Sequence, residues 1–456
     1  MADCPLPRYR GSRWLRARLP EGCELWLPGS PHRVQRDFTR HPRLGRELRA
    51  ILDPDGWRWP KRRVLFFTDL HADADAFADS LVASGGVRKT GPDSRDLVLT
   101  GAGRKALFLI GGDCFDKGPS SLQLLRTIRR LQKRGARVQI LAGNHDVRLM
   151  LGIRSLFLPP DPRNDHFFVR MGPKVMPLLR EIDQHYLRQP GALAGLPPEQ
   201  VCRRLIYPPE GWFREFPRFA RWVMPDDAIE REMKRLRTKM ERFDDDCRRA
   251  GLSLRRVYGA ALWWQRQFLQ PKGKYSWFFR DLRLASRKGS FLFIHGGLDD
   301  RIARLIRRHG VKRLNRTFRE QLYDEPFEFY YGALANTVRT KYRAVDMPLT
   351  RHGAGMLRER GIRAVVHGHN RRRQGQRLAL HKGLLHFECD ATVDRNTRRR
   401  EGLSGTGAAV TVFDPAGWAL GISSDWPRAR LFRPAAMLDA IGRPAPRPRD
   451  RREISS

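Results

Sequence analysis

Residues Ala106 to Pro119 read ALFLIGGDCFDKGP. The apolar run Leu107 to Ile110 is short enough for one buried strand. It breaks at Gly111-Gly112 and delivers Asp113 and Asp116 to a loop. Pro119 then opens a predicted helix through SSLQLLRTIRRLQKR that stops at Gly135, with Pro at the start and Gly at the end as helix chemistry prefers. A strand, a Gly-rich turn, an acid and a helix place carboxylates at the carboxyl end of a sheet, where open α/β folds put their sites.

Working outward, the same pattern recurs. Arg63 to Thr68 (RVLFFT) reads as a strand covered on both faces, and it ends in Asp69-Leu70-His71. An Asp and a His one residue apart can converge on one metal; the bland alternative is that Asp69 caps the following helix. Arg137 to Leu141 (RVQIL) leads into Ala142-Gly143-Asn144-His145-Asp146, where Gly143 permits a turn that other residues resist. Ser290 to Ile294 (SFLFI) ends in His295-Gly296-Gly297-Leu298-Asp299-Asp300. Ile362 to Val366 (IRAVV) ends in His367-Gly368-His369-Asn370. One such histidine is usually structural, but a series of strand ends carrying Asp, Asn or His argues for a site.

The remaining composition narrows the class. The chain has 456 residues, 88 Lys+Arg against 49 Asp+Glu and a net charge of +39. So basic a chain suggests an anionic partner, nucleic acid among them, or else an arginine-biased surface; the excess is spread along the whole chain. Six cysteines without a CxxC pair argue against a zinc ribbon or a disulfide framework and for a reducing compartment. The N-terminal MADCPLPRYRGSRW lacks an apolar signal core, and no apolar run approaches the ~18 residues of a membrane span. A cytoplasmic location is the expectation.

The chain divides into a basic lead-in (1–61), a first half-domain (62–157), a helical insertion or cap (158–284), a second half-domain (285–425) and a basic Pro/Arg-rich tail (426–456) whose RPAPRPRDRR end is expected to be disordered. The insertion should include a long, mostly exposed helix from Asp226 to Ala250. Its Asp244-Asp245-Asp246 reads as a solvated face. Trp212, Arg214, Arg218, Trp222, Trp263 and Trp264 are candidates to shape a pocket, or simply the insertion's own core.

Taken together, Asp-x-His, GDCFDKGP, GNHD, HGGLDD and His-Gly-His resemble the calcineurin-like metallophosphoesterase superfamily, leaning to its phosphoprotein-phosphatase (serine/threonine phosphatase-like) branch. The motifs span Asp69 to His369. The resemblance implies a four-layer α/β/β/α sandwich of mixed sheets with a helical insertion. It also implies a phosphoric ester hydrolase with two divalent ions, Mn²⁺ foremost and Fe, Zn²⁺ or Mg²⁺ as alternatives. Two cations ~3.5–4 Å apart can clamp phosphoryl oxygens and turn a bridging water into hydroxide, and oxygen and imidazole ligands suit these metals. By resemblance, Asp69, His71 and Asp113 hold one ion, and Asp113 bridges to a second held by Asn144, His295 and His369. His367 is an additional ligand or stands just behind the ligands. His145 protonates the leaving oxygen with Asp116 behind it, and Lys117 neutralises a phosphate oxygen. The sequence departs from the branch pattern at Lys117 (usually Arg), Ala72 (usually Gly) and Asp146 (usually Glu). The substrate would be a phosphoprotein or a small phosphoester. A nucleotide-pyrophosphate hydrolase resembling dinucleoside tetraphosphatases or UDP-diacylglucosamine hydrolases is the second reading. A nucleic-acid-binding protein or nuclease on the same scaffold is the third.

Overall fold

The computed structural model describes residues 4–27 and 42–442. The RPAPRPRDRR end lies outside the described residues. Fourteen strands are described: β1 (Cys23–Leu25), β2 (Val64–Phe67), β3 (Val87–Lys89), β4 (Leu97–Leu99), β5 (Leu107–Ile110), β6 (Arg137–Ile140), β7 (Ser286–Lys288), β8 (Phe291–Phe293), β9 (Ala364–His367), β10 (Arg377–His381), β11 (Leu384–Glu388), β12 (Ala409–Asp414), β13 (Trp418–Ser423) and β14 (Ala429–Phe432). Seven form one sheet, ordered β1-β14-β13-β12-β2-β5-β6, and five a second, ordered β10-β11-β9-β8-β7. β3 and β4 form a separate antiparallel pair.

Strand periodicity explains the layering. Side chains alternate across a strand, so Val64 and Phe66 of β2 face the second sheet while Leu65 and Phe67 face outward. Between the sheets, Phe66 meets Phe293 at 5.5 Å and Phe413 meets both Phe291 and Phe387. Helices cover both outer faces. Leu65, Phe67 and Phe108 pack beneath residues of α2 (Ala74–Ala83) and α3 (Ser121–Lys133), and Leu292 and Val365 share that outer core with Ile302 and Leu357. The molecule is therefore the four-layer α/β/β/α sandwich. α1 (Pro42–Leu52) contributes Leu48, Ile51 and Leu52 to the core between the sheets.

The parallel strands set up the site. β2, β5 and β6 run parallel in register, Phe67 opposite Ile110 and Ile110 opposite Ile140. β8, β9 and β11 run parallel in the other sheet. All these strands discharge their loops at carboxyl ends.

Several local readings need correction. β1 and β14 pair with each other at the edge of the large sheet, although one lies in the supposed lead-in and the other past residue 425. Periodicity over three or four residues is too short to reveal such strands. Cys4 and Cys23 form a disulfide, which the expectation of unpaired cysteines missed; only the docking of β1 brings them together, with Cα atoms 5.6 Å apart. The other four cysteines are buried and free. Helix α3 is capped by Ser120, whose Oγ accepts from Gln123 N at 3.0 Å, rather than opened by Pro119. Asp73, and not Asp69, caps α2.

Between α4 (Asn144–Ser155) and β7 the described regular elements are helical, among them α5 (Phe167–Met171), α6 (Met176–Ile182), α7 (Trp212–Ala220), α8 (Asp226–Arg249), α9 (Leu254–Phe268) and α10 (Ser276–Arg280). Helix α8 buries Ile229, Glu232, Leu236, Phe243 and Cys247 on one face, the three-to-four spacing of an amphipathic helix. Its acid cluster is spent on local pairs: Asp244 with Arg203, Asp245 with Arg248 and Asp246 with Arg249. Trp212 and Trp264 are fully buried in helix packing, Trp263 stacks on Tyr186 and Trp222 is 84% exposed. These tryptophans build the insertion or face outward. The insertion's aromatics that reach the loop after β5 are Phe268, Phe278 and Phe279, which enclose Phe115 at 5.2–6.1 Å between rings.

Candidate metal centre

The loops after the parallel strands are strained in one place. Of ten non-glycine residues with positive φ among the described residues, seven are Asp69, His71, Ala72, Asp113, Asp116, Lys117 and His369. Such conformations persist only where surrounding structure over-determines them, and they cluster at functional sites. Ala72, at φ 57°, occupies a conformation that glycine adopts without penalty. Gly143 is required for a different reason. A Cβ there would stand 2.1 Å from Asp113 N and 2.3 Å from Asp113 Oδ1, so the loops of β5 and β6 approach too closely for any side chain.

The strand ends converge on Asp113. One group brings together His71, Asp113 and His145, and another Asp113, His295 and His369; within each, ligand atoms lie within 4.8 Å of one another. Asp113 Oδ2 is 3.9 Å from His71 Nε2 and 3.7 Å from His145 Nε2, while Asp113 Oδ1 is 3.4 Å from His295 Nε2. Asp69 joins at the side, with Oδ1 3.8 Å from His71 Nε2 and Oδ2 accepting from Thr68 Oγ1 and His369 N. Asn144 Oδ1 lies 3.2 Å from His295 Nε2. His367 belongs to neither group. It lies beside His386, Nε2 to Nδ1 3.4 Å, and the Tyr342 ring packs against both, 6.1 Å from His367 and 5.1 Å from His386.

The donor set fits divalent cations: buried carboxylate oxygen, amide oxygen and imidazole nitrogen, without thiolate. Its electrostatics call for positive charge. Burial opposes charging His295, yet Asp113 and Asp69 push it up to about 10. Burial also opposes ionising Asp113, but His295, His145 and His71 hold it well below the usual carboxylate range. Asp390 and Asp394, in the loop after β11, each keep a buried carboxylate oxygen without a hydrogen bond among the described residues. Burial first, then the Asp69 charge, raises Asp390 well above the carboxylate range. The orphaned Asp390 acceptor, which feels the Asp69 charge, is what a nearby cation would satisfy.

His145 Nδ1 lies 2.6 Å from Asp116 Oδ2. With Nδ1–H donating to the Asp116 carboxylate, Nε2 faces Asp113 at 3.7 Å. Lys117 Nζ contacts His71 Nε2, and Asn396 Nδ2 donates to the Lys117 carbonyl at 2.6 Å.

Three residues escaped sequence reasoning. Asp146, noted there only as a departure, accepts from the backbone N–H groups of Asp113, Cys114, Phe115 and Gly143 at 2.8–3.3 Å, and so clamps two site loops together. Arg148 donates to Asp116 Oδ2 at 2.7 Å; its i+3 spacing from His145 on a helix was a usable signal. Asp390 follows a strand end as the other site acids do, and its cluster CDATVD carried the same signal.

Residues 62–237 match the family model described as calcineurin-like phosphoesterase. No curated protein matches the chain. Among solved structures the chain is similar to a cold-active protein tyrosine phosphatase, at 13% identity, with 81% of this chain and 78% of that one covered and a TM-score of 0.43. A cold-active protein-tyrosine phosphatase of the psychrophile Shewanella sp. gives 12% identity, 82% and 80% coverage and a TM-score of 0.39. A protein serine/threonine phosphatase from Saccharomyces cerevisiae, with similarity to human phosphatase PP5, gives 13% identity, 89% coverage of both chains and a TM-score of 0.37.

Proposed function

We propose, from the match of residues 62–237 to the calcineurin-like phosphoesterase family model and the geometry of the strand-end loops, that this chain is a phosphatase whose centre takes two divalent cations, Mn²⁺ foremost, with Asp113 shared between them. Asp69, His71 and Asp113 would hold one ion, and Asp113, Asn144, His295 and His369 the other. Cations so held supply Lewis-acid charge to the phosphoryl oxygens and a water nucleophile at neutral pH. The observation that carries this reading is the membership of Asp113 in both His/Asp groups.

The chain's own residues do the remaining work. His145 Nε2 protonates the departing oxygen, and Asp116 orients the ring and stabilises its cation, the logic of other His–Asp pairs. Lys117 neutralises a phosphate oxygen as a point charge. His71 Nε2 is open to a cation only where Lys117 Nζ does not occupy it. The substrate is a phosphorylated protein or a small phosphoester.

The test is Asp113→Asn. Wild-type protein loaded with Mn²⁺ should carry two ions per chain by elemental analysis and hydrolyse p-nitrophenyl phosphate. The variant should lose bound metal and nearly all turnover. A variant with two ions and normal turnover would remove Asp113 from the shared position.

A further inference from the structure

A cleft that shares no residue with the candidate metal centre opens beside α3. Its volume is about 580 Å³, and its walls are α3, the turn between β3 and β4, and the segment from Lys274 into α10. Contacts fix these walls to one another. Ser94 Oγ, in the turn, lies 3.1 Å from Thr127 Oγ1 of α3. The Arg129 guanidinium sits over the Trp277 ring at 5.4 Å, and Arg126 Nη2 donates to Tyr186 Oη at 3.1 Å. Lys274 Nζ stands 5.7 Å from the centre of the Tyr275 ring.

The lining is cationic. Arg126, Arg129, Arg130 and Lys133 follow the spacing i, i+3, i+4, i+7, which puts them on one stripe of α3, and Lys274 joins them from the insertion. None of these five has a carboxylate partner among the described residues. The two acids in the lining are spent inside their own turn: Asp93 takes Arg95 in two hydrogen bonds at 2.9 and 3.0 Å, and Asp96 Oδ2 accepts from Asp93 N at 3.1 Å. On α8, by contrast, Arg231, Arg235, Arg248 and Arg249 each take an acid three or four residues away. Like charges at these spacings disfavour a helix, and an anion lying along the stripe offsets that cost.

The kind of anion follows from what the cleft exposes. Arg129, Arg130, Lys133 and Lys274 are exposed, whereas Tyr275 and Trp277 are only 2% and 4% exposed. Neither ring offers the open face on which the bases of single-stranded nucleic acid stack. The stripe from Arg126 to Lys133 is ~10 Å long. An extended peptide covers that length in about three residues and presents alternate side chains to one side, so carboxylates at alternate positions meet the guanidinium and ammonium groups.

We propose that this cleft docks an acidic segment of the protein substrate, separate from the phosphorylated residue that enters the metal centre. The inference rests on the phosphatase reading above and adds a recognition surface to it. Helix α3 starts at Ser121, soon after the loop carrying Asp116 and Lys117, and Arg126 lies ~8 Å further along the helix. One polypeptide with a flexible linker reaches both.

The probe is a fluorescein-labelled peptide of six Glu-Ser repeats, titrated by fluorescence anisotropy against the full-length, chelator-treated protein at 0.15 M salt. It should bind saturably, and the same peptide with Gln for Glu should not. Arg130→Glu and Lys274→Glu reverse exposed charges on two different walls, and each should weaken binding at least about tenfold. Arg316→Glu, in a cleft where Glu320 and Asp324 stand beside the basic residues, should change it less than about twofold. A thermal melt checks that each variant folds. Absence of saturable binding, or equal weakening by Arg316→Glu, would overturn the docking site. So would an oligothymidylate of equal charge that binds as tightly as the peptide, because the cleft would then belong to nucleic acid. The link to the substrate is read from kinetics with Mn²⁺, on whichever of a phosphoserine and a phosphotyrosine peptide is turned over. Joining the acidic run to that peptide by a flexible linker should lower KM at least about fivefold at equal kcat, and Arg130→Glu should remove the difference. An unchanged KM, or turnover of neither peptide, would overturn the assignment to a protein substrate. Hydrolysis of p-nitrophenyl phosphate, which has no acidic segment, separates the two readings. Its absence in wild type sinks the phosphatase reading, whereas its presence beside failed peptide binding sinks the docking site alone.

Discussion

At the scale of single residues, His145 carries the sharpest chemical expectation. Its Nδ1 is committed to Asp116 and its Nε2 faces Asp113 at 3.7 Å, so one ring nitrogen is a structural anchor and the other faces the candidate metal centre. Burial lowers its pKa, while Asp113 and Asp116 act to raise it; the carboxylates preserve its capacity to carry a proton in a dry site. His145→Asn should leave metal content intact and lower turnover by roughly 10²–10⁴-fold. The loss should be smaller for nitrophenyl esters than for alkyl esters, because a good leaving group needs less protonation. Equal losses across a leaving-group series, measured as kcat/KM, would mark His145 as a positioning residue. Asp146 acts differently. Four backbone N–H groups converge on it, and its role is to hold Gly143 and Asp113 in the contact that only glycine permits.

At the scale of elements, the insertion is tied to the core by a buried polar chain. His166 Nε2 meets Tyr331 Oη at 2.7 Å, Tyr331 Oη donates to Glu232 Oε1 at 3.2 Å, and Glu232 takes Arg170 in a two-pronged ion pair. Burial acts to raise the Glu232 pKa, but Arg170 overrides it and holds the group at about 2, against an ordinary 4.5. A carboxylate depressed in the folded state contributes stability that is fully present above pH 4.5 and is lost as pH falls towards 2. The size is on the order of 3 kcal/mol, and Glu232 is only 4% exposed. Glu232→Gln should therefore destabilise the protein by about 3–5 kcal/mol at pH 7, since it leaves Arg170 without its partner. Urea unfolding at pH 7, 5 and 3.5 should show the gap between wild type and variant steady down to pH 5 and narrower at 3.5. A gap independent of pH would show that packing, not the ion pair, holds the insertion.

At the scale of the whole molecule, the charge of +39 is dispersed. Many arginines are spent on local pairs along helices, such as Arg218 with Glu215, Arg231 with Asp227 and Arg248 with Asp245; exposed pairs of this kind contribute little stability. Among the described residues no helix is long and apolar enough to cross a membrane. The expectation is that the bulk charge is surface composition. Fluorescence anisotropy with duplex DNA should then show no saturable binding at 0.15 M salt. Tight binding whose affinity falls steeply as salt rises, the signature of counterion release, would instead assign the surface to an extended polyanion.

The sequence by itself determined the order of the motifs and the kind of chemistry they carry. Each of Asp69, His71, Asp113, Asn144, His145, His295 and His369 follows a strand or its immediate turn, and both the strand's run and the polar cluster after it are local, so neighbouring residues suffice to reveal them. What holds those loops together required the tertiary structure. The Asp146 clamp joins residues 32 and 33 positions apart, Phe115 rests on aromatics from the far end of the insertion, and Cys4 meets Cys23 through a strand whose partner is β14. Such contacts depend on how helices and sheets pack, which the periodicity of one segment does not encode.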